Sequence, residues 1–355
     1  MTAKAILERL RLHAISQSLF PPTTLKAAVG RLGFVQADPI RSPARAQDLI
    51  LRHRVKEYRA GDLERRYASL DIEEDVLYAY GFLPRTIWQL LHPRNIRGMS
   101  KLEKKVLAVV REFGVMHPKE LEEHFGNERV INAWGGYSKA TTHALEQLHY
   151  RGLLRIARRE KGIRIYEAAP SSVDELPPNE RLRKLVTVVT TILEPVPEAS
   201  LHATINRYRS LGNIRATVGE LLDSGELEKQ VIDGVTYLWP YSRTIHGEVP
   251  LRVRFLTPFD PLVWDRQRFE HLWGWRYRFE AYTPPAKRLR GYYAMPLLWR
   301  DSVIGWANAR VEAGLLNVEV AFAGKRPKDS DFRSELDAEI GRLETFLRPL
   351  RGPEE

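Results

Sequence analysis

Gln36 and Asp38 are the side chains of this sequence whose types and spacing best suit a hydrolytic reaction. They stand two residues apart in Gly33-Phe34-Val35-Gln36-Ala37-Asp38-Pro39-Ile40, a segment that interrupts a helical pattern on both sides. In an extended chain alternate side chains point the same way, so the amide and the carboxylate would face one space. A carboxylate can stabilise a cation developing on a sugar ring or activate water at its face, and a polar neighbour can fix that water. No lysine falls in the segment, so a Schiff-base mechanism finds no support in it. A competing reading is structural: Asp before Pro is a common helix start, and Asp38 would then cap a helix beginning at Pro39.

Other polar groupings suggest less chemistry. His117, Glu120 and His124 could form a metal face, but their spacing fits no standard ligand pattern and reads as a polar helix surface. Asp260 and Asp265 flank an apolar run; they could be paired carboxylates, and a structural role in a barrel is the simpler reading. Trp264, Trp273, Trp275, Trp299 and Trp306 read as core residues.

Composition narrows the partner. The chain has 355 residues, 43% hydrophobic and 28% charged, which is globular composition at a length that asks for two to four domains. A net charge of +10 calls for an anionic partner, nucleic acid before an acidic membrane surface. The absence of cysteine excludes disulfides and thiolate zinc sites. Charges recur through Met1–Arg11, unlike a signal peptide, and no stretch approaches the roughly 20 apolar residues of a membrane span. The expectation is a cytoplasmic, nucleoid-associated monomer.

The elements that must position Gln36 and Asp38 are mostly helical. Leu102, Val106, Val109 and Phe113 share a helix face ending at Gly114; a short helix follows over 118–125, and a third, capped by Ser138, runs to Tyr150. A hairpin over 155–166 closes this winged helix-turn-helix pattern. It recurs with Leu182, Leu185, Val189 and Ile192, then helices over 199–208 and 214–222, then a hairpin turning at Asp233-Gly234. Residues 1–98 read as a variant of the same unit, with helices over 24–32 and 42–55. Beyond residue 245 the pattern turns to strands and a closing helix carrying Leu336, Ile340, Leu343 and Leu347. The expected fold is mainly α with small β elements: modules at 1–98, 99–172 and 173–243, then a β-barrel-like domain at 244–355.

Basic residues cluster on this framework. Arg41, Arg45, Arg52 and Arg54 lie near the Gln36 segment. A second group, Arg85, Arg94, Arg97 and Lys101, follows within 82–101. Arg158, Arg159 and Lys161 lie on the first wing, and Lys287, Arg288 and Arg290 are interleaved with Tyr282, Tyr292, Tyr293 and Trp299. Tandem winged helices with such clusters favour a duplex, because a helix needs a groove to lie in. The DNA-binding residues expected are Arg41, Arg45, Arg52, Arg54, Arg158, Arg159, Lys161, Lys287, Arg288, Arg290, Tyr292 and Tyr293.

The Gln36 segment, with Arg45 following, resembles the Gln-apolar-Asp motif of the YcaQ/AlkZ family of bacterial DNA glycosylases. Two later blocks strengthen the resemblance: Thr257-Pro258-Phe259-Asp260-Pro261-Leu262-Val263-Trp264-Asp265-Arg266, and Tyr282-Thr283-Pro284-Pro285-Ala286-Lys287-Arg288 with Gly291-Tyr292-Tyr293. The resemblance implies three tandem winged-helix domains and a β-barrel forming a concave face for damaged duplex DNA. It implies excision of bulky alkylated purines and unhooking of interstrand crosslinks, without metal or organic cofactor. It maps the catalytic pair onto Gln36 and Asp38, and a minor-groove-probing hairpin onto Lys287–Tyr293. The chain departs from the family where many members carry a His in an Ala-His-Glu-Ala-like stretch. Here it reads Tyr78-Ala79-Tyr80-Gly81-Phe82-Leu83-Pro84, which marks a divergent branch and leaves the lesion class open. A non-catalytic winged-helix regulator and a lesion-shielding module are the rival readings.

Overall fold

Local signals set most helix boundaries. Thr24 caps Leu25–Leu32, which Gly33 closes in the left-handed conformation at φ 68°. Ser100 and Glu103 form a reciprocal capping box at the start of Lys101–Phe113. His117 caps Pro118–Phe125, its Nδ1 accepting from the Lys119 N–H at 3.0 Å, so this histidine has a local structural task. In the second of the expected hairpins, Asp233 and Gly234 both adopt positive φ, 48° and 78°, and join Leu227–Ile232 to Val235–Pro240.

The computed structural model describes residues 2–94, 98–126, 129–131, 137–160, 162–170, 176–241 and 249–348. They form two units: a discontinuous one, Met1–Asp62 with Pro178–Glu355, and a continuous one, Leu63–Pro177. Residues 63–98 of the expected first module therefore group with the second. No helix among the described residues is long and apolar enough to cross a membrane.

In the continuous unit, helices Lys101–Phe113, Pro118–Phe125 and Ala140–Tyr150 precede the antiparallel hairpin Leu154–Glu160 and Ile163–Ala168. The third helix begins at Ala140, not Ser138, because Tyr137–Lys139 pairs as a strand with Arg129–Ile131. The first helix is rotated from its expected face: Val106, Leu107 and Val110 are buried, and Phe113 is exposed. A second hairpin, Ile72–Val76 with Tyr80–Pro84, buries three successive acids. Glu73 pairs with Arg85 and Arg155, Glu74 with Arg159, and Asp75 with His92 and Arg94. Each charge thus meets an opposite one, without which burial would be prohibitive.

The discontinuous unit holds Ala3–Ser18, Leu25–Leu32 and the short helix Ala46–Leu51, which is all that forms of the helix expected over 42–55. With them are Pro178–Leu193, Glu198–Ile205, Ile214–Asp223 and the Asp233-Gly234 hairpin. A four-stranded antiparallel sheet follows, curled into a half-barrel: Val253–Phe255, Met295–Trp299, Ser302–Glu312 and Leu315–Phe322. One apolar core ties the two ends of the sequence together, joining Leu10, Ala14 and Ile15 to Tyr237, Trp239, Leu262, Phe269 and Leu298. The last helix, Ser330–Leu347, buries Phe332, Leu336, Leu343 and Phe346, with Ile340 and Leu347 only half-buried.

At the centre of this unit Arg54 is fully buried and all five of its N–H donors are used. It grips Asp260 through two hydrogen bonds of 2.8 and 3.0 Å, and reaches the Ser18 and Ile50 carbonyls and the Ser18 hydroxyl. Asp260 in turn caps Pro261–Trp264 through the Leu262 N–H. Arg54→Ala strands a buried carboxylate and should destabilise the protein by about 3–5 kcal/mol. A urea midpoint equal to that of the wild type would show that the clamp does not hold the unit together.

Candidate functional site

The segment carrying Gln36 and Asp38 leaves the helix at Gly33 and stays irregular until Ala46. No helix begins at Pro39, which disposes of the reading of Asp38 as its cap. Asp38 instead closes a short turn, its Oδ1 accepting from the Ile40 N–H at 2.9 Å. Its side chain is half-buried, and burial raises its pKa, against the lowering effect of that backbone hydrogen bond. Gln36 is half-buried, and its Oε1 is buried without a hydrogen-bond partner among the described residues.

The electrostatic neighbour of Asp38 is Tyr293. Burial raises the Tyr293 pKa, and the Asp38 charge raises it further, while a hydrogen bond with Thr257 opposes both. The Tyr293 and Thr257 hydroxyls lie 2.9 Å apart and both side chains are buried. Phe259, Phe279 and Tyr293 pack as an aromatic group, with Phe279 also against Tyr282. Arg266 donates to the Pro258 and Val263 carbonyls and lies 4.6 Å over the Tyr277 ring. The blocks at 257–266 and 282–293 thus meet at the Thr257–Tyr293 pair, and the Asp38 charge acts on that pair electrostatically.

Among the expected DNA contacts, the structure separates surface from interior. Arg41 and Lys287 are exposed, and Arg45 is half-buried. Arg158 is half exposed and pairs with Glu160 at 2.6 Å. Four expectations are corrected by burial. Arg54 is held by Asp260. Arg52 is paired with Glu339 at 2.6 Å and bonded to the Phe255 carbonyl. Arg159 is locked on Glu74. Tyr293 is buried, its hydroxyl 2.9 Å from that of Thr257. None of these four presents its polar group to a phosphate. Lys161 lies outside the described residues.

The segment Lys287–Tyr293 is not a hairpin, because the strand begins only at Met295. It is a loop pinned from within. The buried Glu280 Oε2 accepts from the N–H groups of Leu289, Arg290 and Gly291 at 3.0, 2.8 and 3.3 Å. Arg288 donates to the Thr283 carbonyl and stacks on Tyr292; Arg290 stacks on Trp275. Tyr292 itself is exposed. Glu280 escaped the sequence reading, and so did the parts of Thr257 and Arg266. The signal for Glu280 was its position as a lone acid at the edge of a basic, aromatic stretch.

The model of the AlkZ-like DNA glycosylase family matches residues 29–346, a span that includes all three sequence blocks. The chain belongs to that family. Membership carries DNA glycosylase activity at the family level, with DNA as the partner and repair as the context. No solved structure matches the chain.

Because its folded-state pKa is raised, ionised Asp38 costs the protein stability at neutral pH, a cost that fades as the pH falls through that pKa. Asp38→Asn keeps an oxygen for the Ile40 N–H and removes the charge. Its melting temperature at pH 7 should equal or exceed that of the wild type, the signature of a group kept for chemistry. A clear loss of stability would return Asp38 to a structural role.

Proposed function

We propose that this chain is a monofunctional DNA glycosylase that hydrolyses the N-glycosidic bond of bulky alkylated purines, with Asp38 and Gln36 as its catalytic pair. What carries the reading is Asp38 itself: a half-buried carboxylate with a raised pKa, set in the family-like motif and acting electrostatically on Tyr293, whose hydroxyl lies 2.9 Å from that of Thr257. An alkylated purine is already cationic, so the C1′–N bond breaks with its electron pair passing to the base, and no strong general acid is required. The sugar becomes oxocarbenium-like, and the Asp38 carboxylate opposes that positive charge. Gln36 Oε1, buried and without a partner among the described residues, is an acceptor able to hold the attacking water. The water oxygen bonds to C1′ while its proton passes to Asp38, a better base for its raised pKa. The same bond cleavage on a bridged purine would unhook an interstrand crosslink.

Helix, helix, helix and hairpin follow one another in 101–168 and again in 178–240, which supports the reading of tandem winged helices that grip a duplex. This reading adds an N-terminal variant of the unit and the half-barrel as further modules, although the N-terminal segment to Asp62 packs within one unit with Pro178–Glu355. Of the expected contacts, Arg41, Arg158 and Lys287 are exposed, and they are the basic side chains this reading offers to phosphate.

On a duplex carrying an N7-alkylguanine, wild-type protein should create abasic sites that alkali converts to strand breaks. Asp38→Asn should slow single-turnover release by at least about a hundredfold at near-normal duplex affinity. Undiminished release by the mutant would eliminate the proposed role. The wild-type rate should fall on the acid side at a pH above the ordinary Asp pKa of about 3.9, because the carboxylate is the working form. For the grip, Lys287→Ala should flatten the slope of log affinity against log salt by about 0.9 if Lys287 meets a phosphate. An unchanged slope would place the contact elsewhere.

A further inference from the structure

A cleft of about 520 Å³ lies between the helix Glu198–Ile205, the Asp233-Gly234 hairpin and the helix Arg266–Trp273, all within the discontinuous unit. Its size suits a small ligand, whose pockets measure about 300–1,000 Å³. Neither Gln36 nor Asp38 lines it. In its wall the buried Tyr237 hydroxyl lies 2.7 Å from His271 Nδ1, its hydrogen-bond partner among the described residues. Burial raises the Tyr237 pKa, so the phenol keeps its proton and donates it to Nδ1. The imidazole then carries its own proton on Nε2. That nitrogen is buried without a hydrogen-bond acceptor among the described residues; the Asp233 carboxylate, 3.5 Å away, makes no hydrogen bond to it. Further donors line the same cleft in the Thr236 hydroxyl, the Gln267 amide and the Arg215 guanidinium. Arg215 is exposed and has no ion-pair or hydrogen-bond partner among the described residues. The carboxylates at the cleft, by contrast, each face a histidine: Glu198 lies 3.7 Å from His202, and Asp233 beside His271. Arg268, bonded to the Leu193 and Pro261 carbonyls, adds a second positive charge to the wall. Pro197, Ala199 and Val235 make other parts of it apolar.

We propose that this cleft binds a small organic anion, a carboxylate or phosphate head carried on an apolar ring body. Arg215 pairs with the head through charge-assisted hydrogen bonds. His271 Nε2–H, Thr236 and Gln267 supply neutral donors to its remaining oxygens. The apolar wall takes the body out of water. A cationic ligand would meet two arginines, and a bare inorganic anion would leave that wall exposed. The site is separate from the chemistry at Asp38 and needs neither member of the catalytic pair.

The test is titration calorimetry of the full-length protein with naphthoate, phenyl phosphate and the neutral naphthamide. One or both anions should bind at one per chain, at least about tenfold tighter than the amide. The tighter of the two identifies the head as carboxylate or phosphate. Inorganic phosphate alone should bind at least about tenfold more weakly than phenyl phosphate, because it leaves the apolar wall unfilled. Arg215→Ala should weaken anion binding by about tenfold or more, and Arg215→Lys should restore part of it. Arg209→Ala, which removes an exposed arginine outside the cleft, should bind the anion like wild type, and so should Asp38→Asn. The His271 Nε2 resonance should shift on saturation in wild-type protein. Failure of both anions to bind, equal binding of anion and amide, or undiminished binding by Arg215→Ala would each overturn the proposal.

Discussion

The buried pair of Arg54 and Asp260 is the contact on which the rest of the discontinuous unit depends. Its partners lie more than two hundred residues apart, and each is tied to further segments: Arg54 to Ser18 and Ile50, Asp260 to the turn before Trp264. A guanidinium with every donor satisfied, facing a carboxylate with both oxygens engaged, meets the condition under which a buried ion pair is tolerable. The clamp fixes where the N-terminal segment meets the half-barrel. It therefore helps to determine where Asp38 lies relative to Thr257 and Tyr293.

Around Asp38 the chemistry runs the other way. Where Asp260 is fully compensated, Asp38 receives one backbone N–H and sits half-buried with a raised pKa. Gln36 likewise keeps a buried oxygen without a partner among the described residues. A polar group left short of partners two residues from a carboxylate with a raised pKa is where ligand chemistry is to be sought. The two carboxylates thus divide the work, one holding the fold and the other held by it.

Much of this was legible in the sequence. Capping residues and turn dipeptides are local, so helices such as Pro118–Phe125 and the Asp233-Gly234 hairpin could be read almost to the residue. The proposed catalytic pair, Gln36 and Asp38, stood out as a motif through residue type, spacing and resemblance. What a sequence hides is which charges face inward. Arg52, Arg54 and Arg159 look like the surrounding basic residues, and only their distant partners Glu339, Asp260 and Glu74 take them into the interior. The hairpin expected at Lys287–Tyr293 came from the resemblance alone, and there Glu280 captures the backbone donors a strand would have needed.

That the Asp38 carboxylate stabilises positive charge on the sugar can be tested without knowing the natural lesion. The measurement is the affinity for two duplexes that differ at one nucleotide, one carrying a cationic pyrrolidine in place of the sugar and the other a neutral tetrahydrofuran. Wild-type protein should prefer the cationic duplex by about tenfold or more, and Asp38→Asn should bind the two alike. An equal preference for the cation in both proteins would contradict that role.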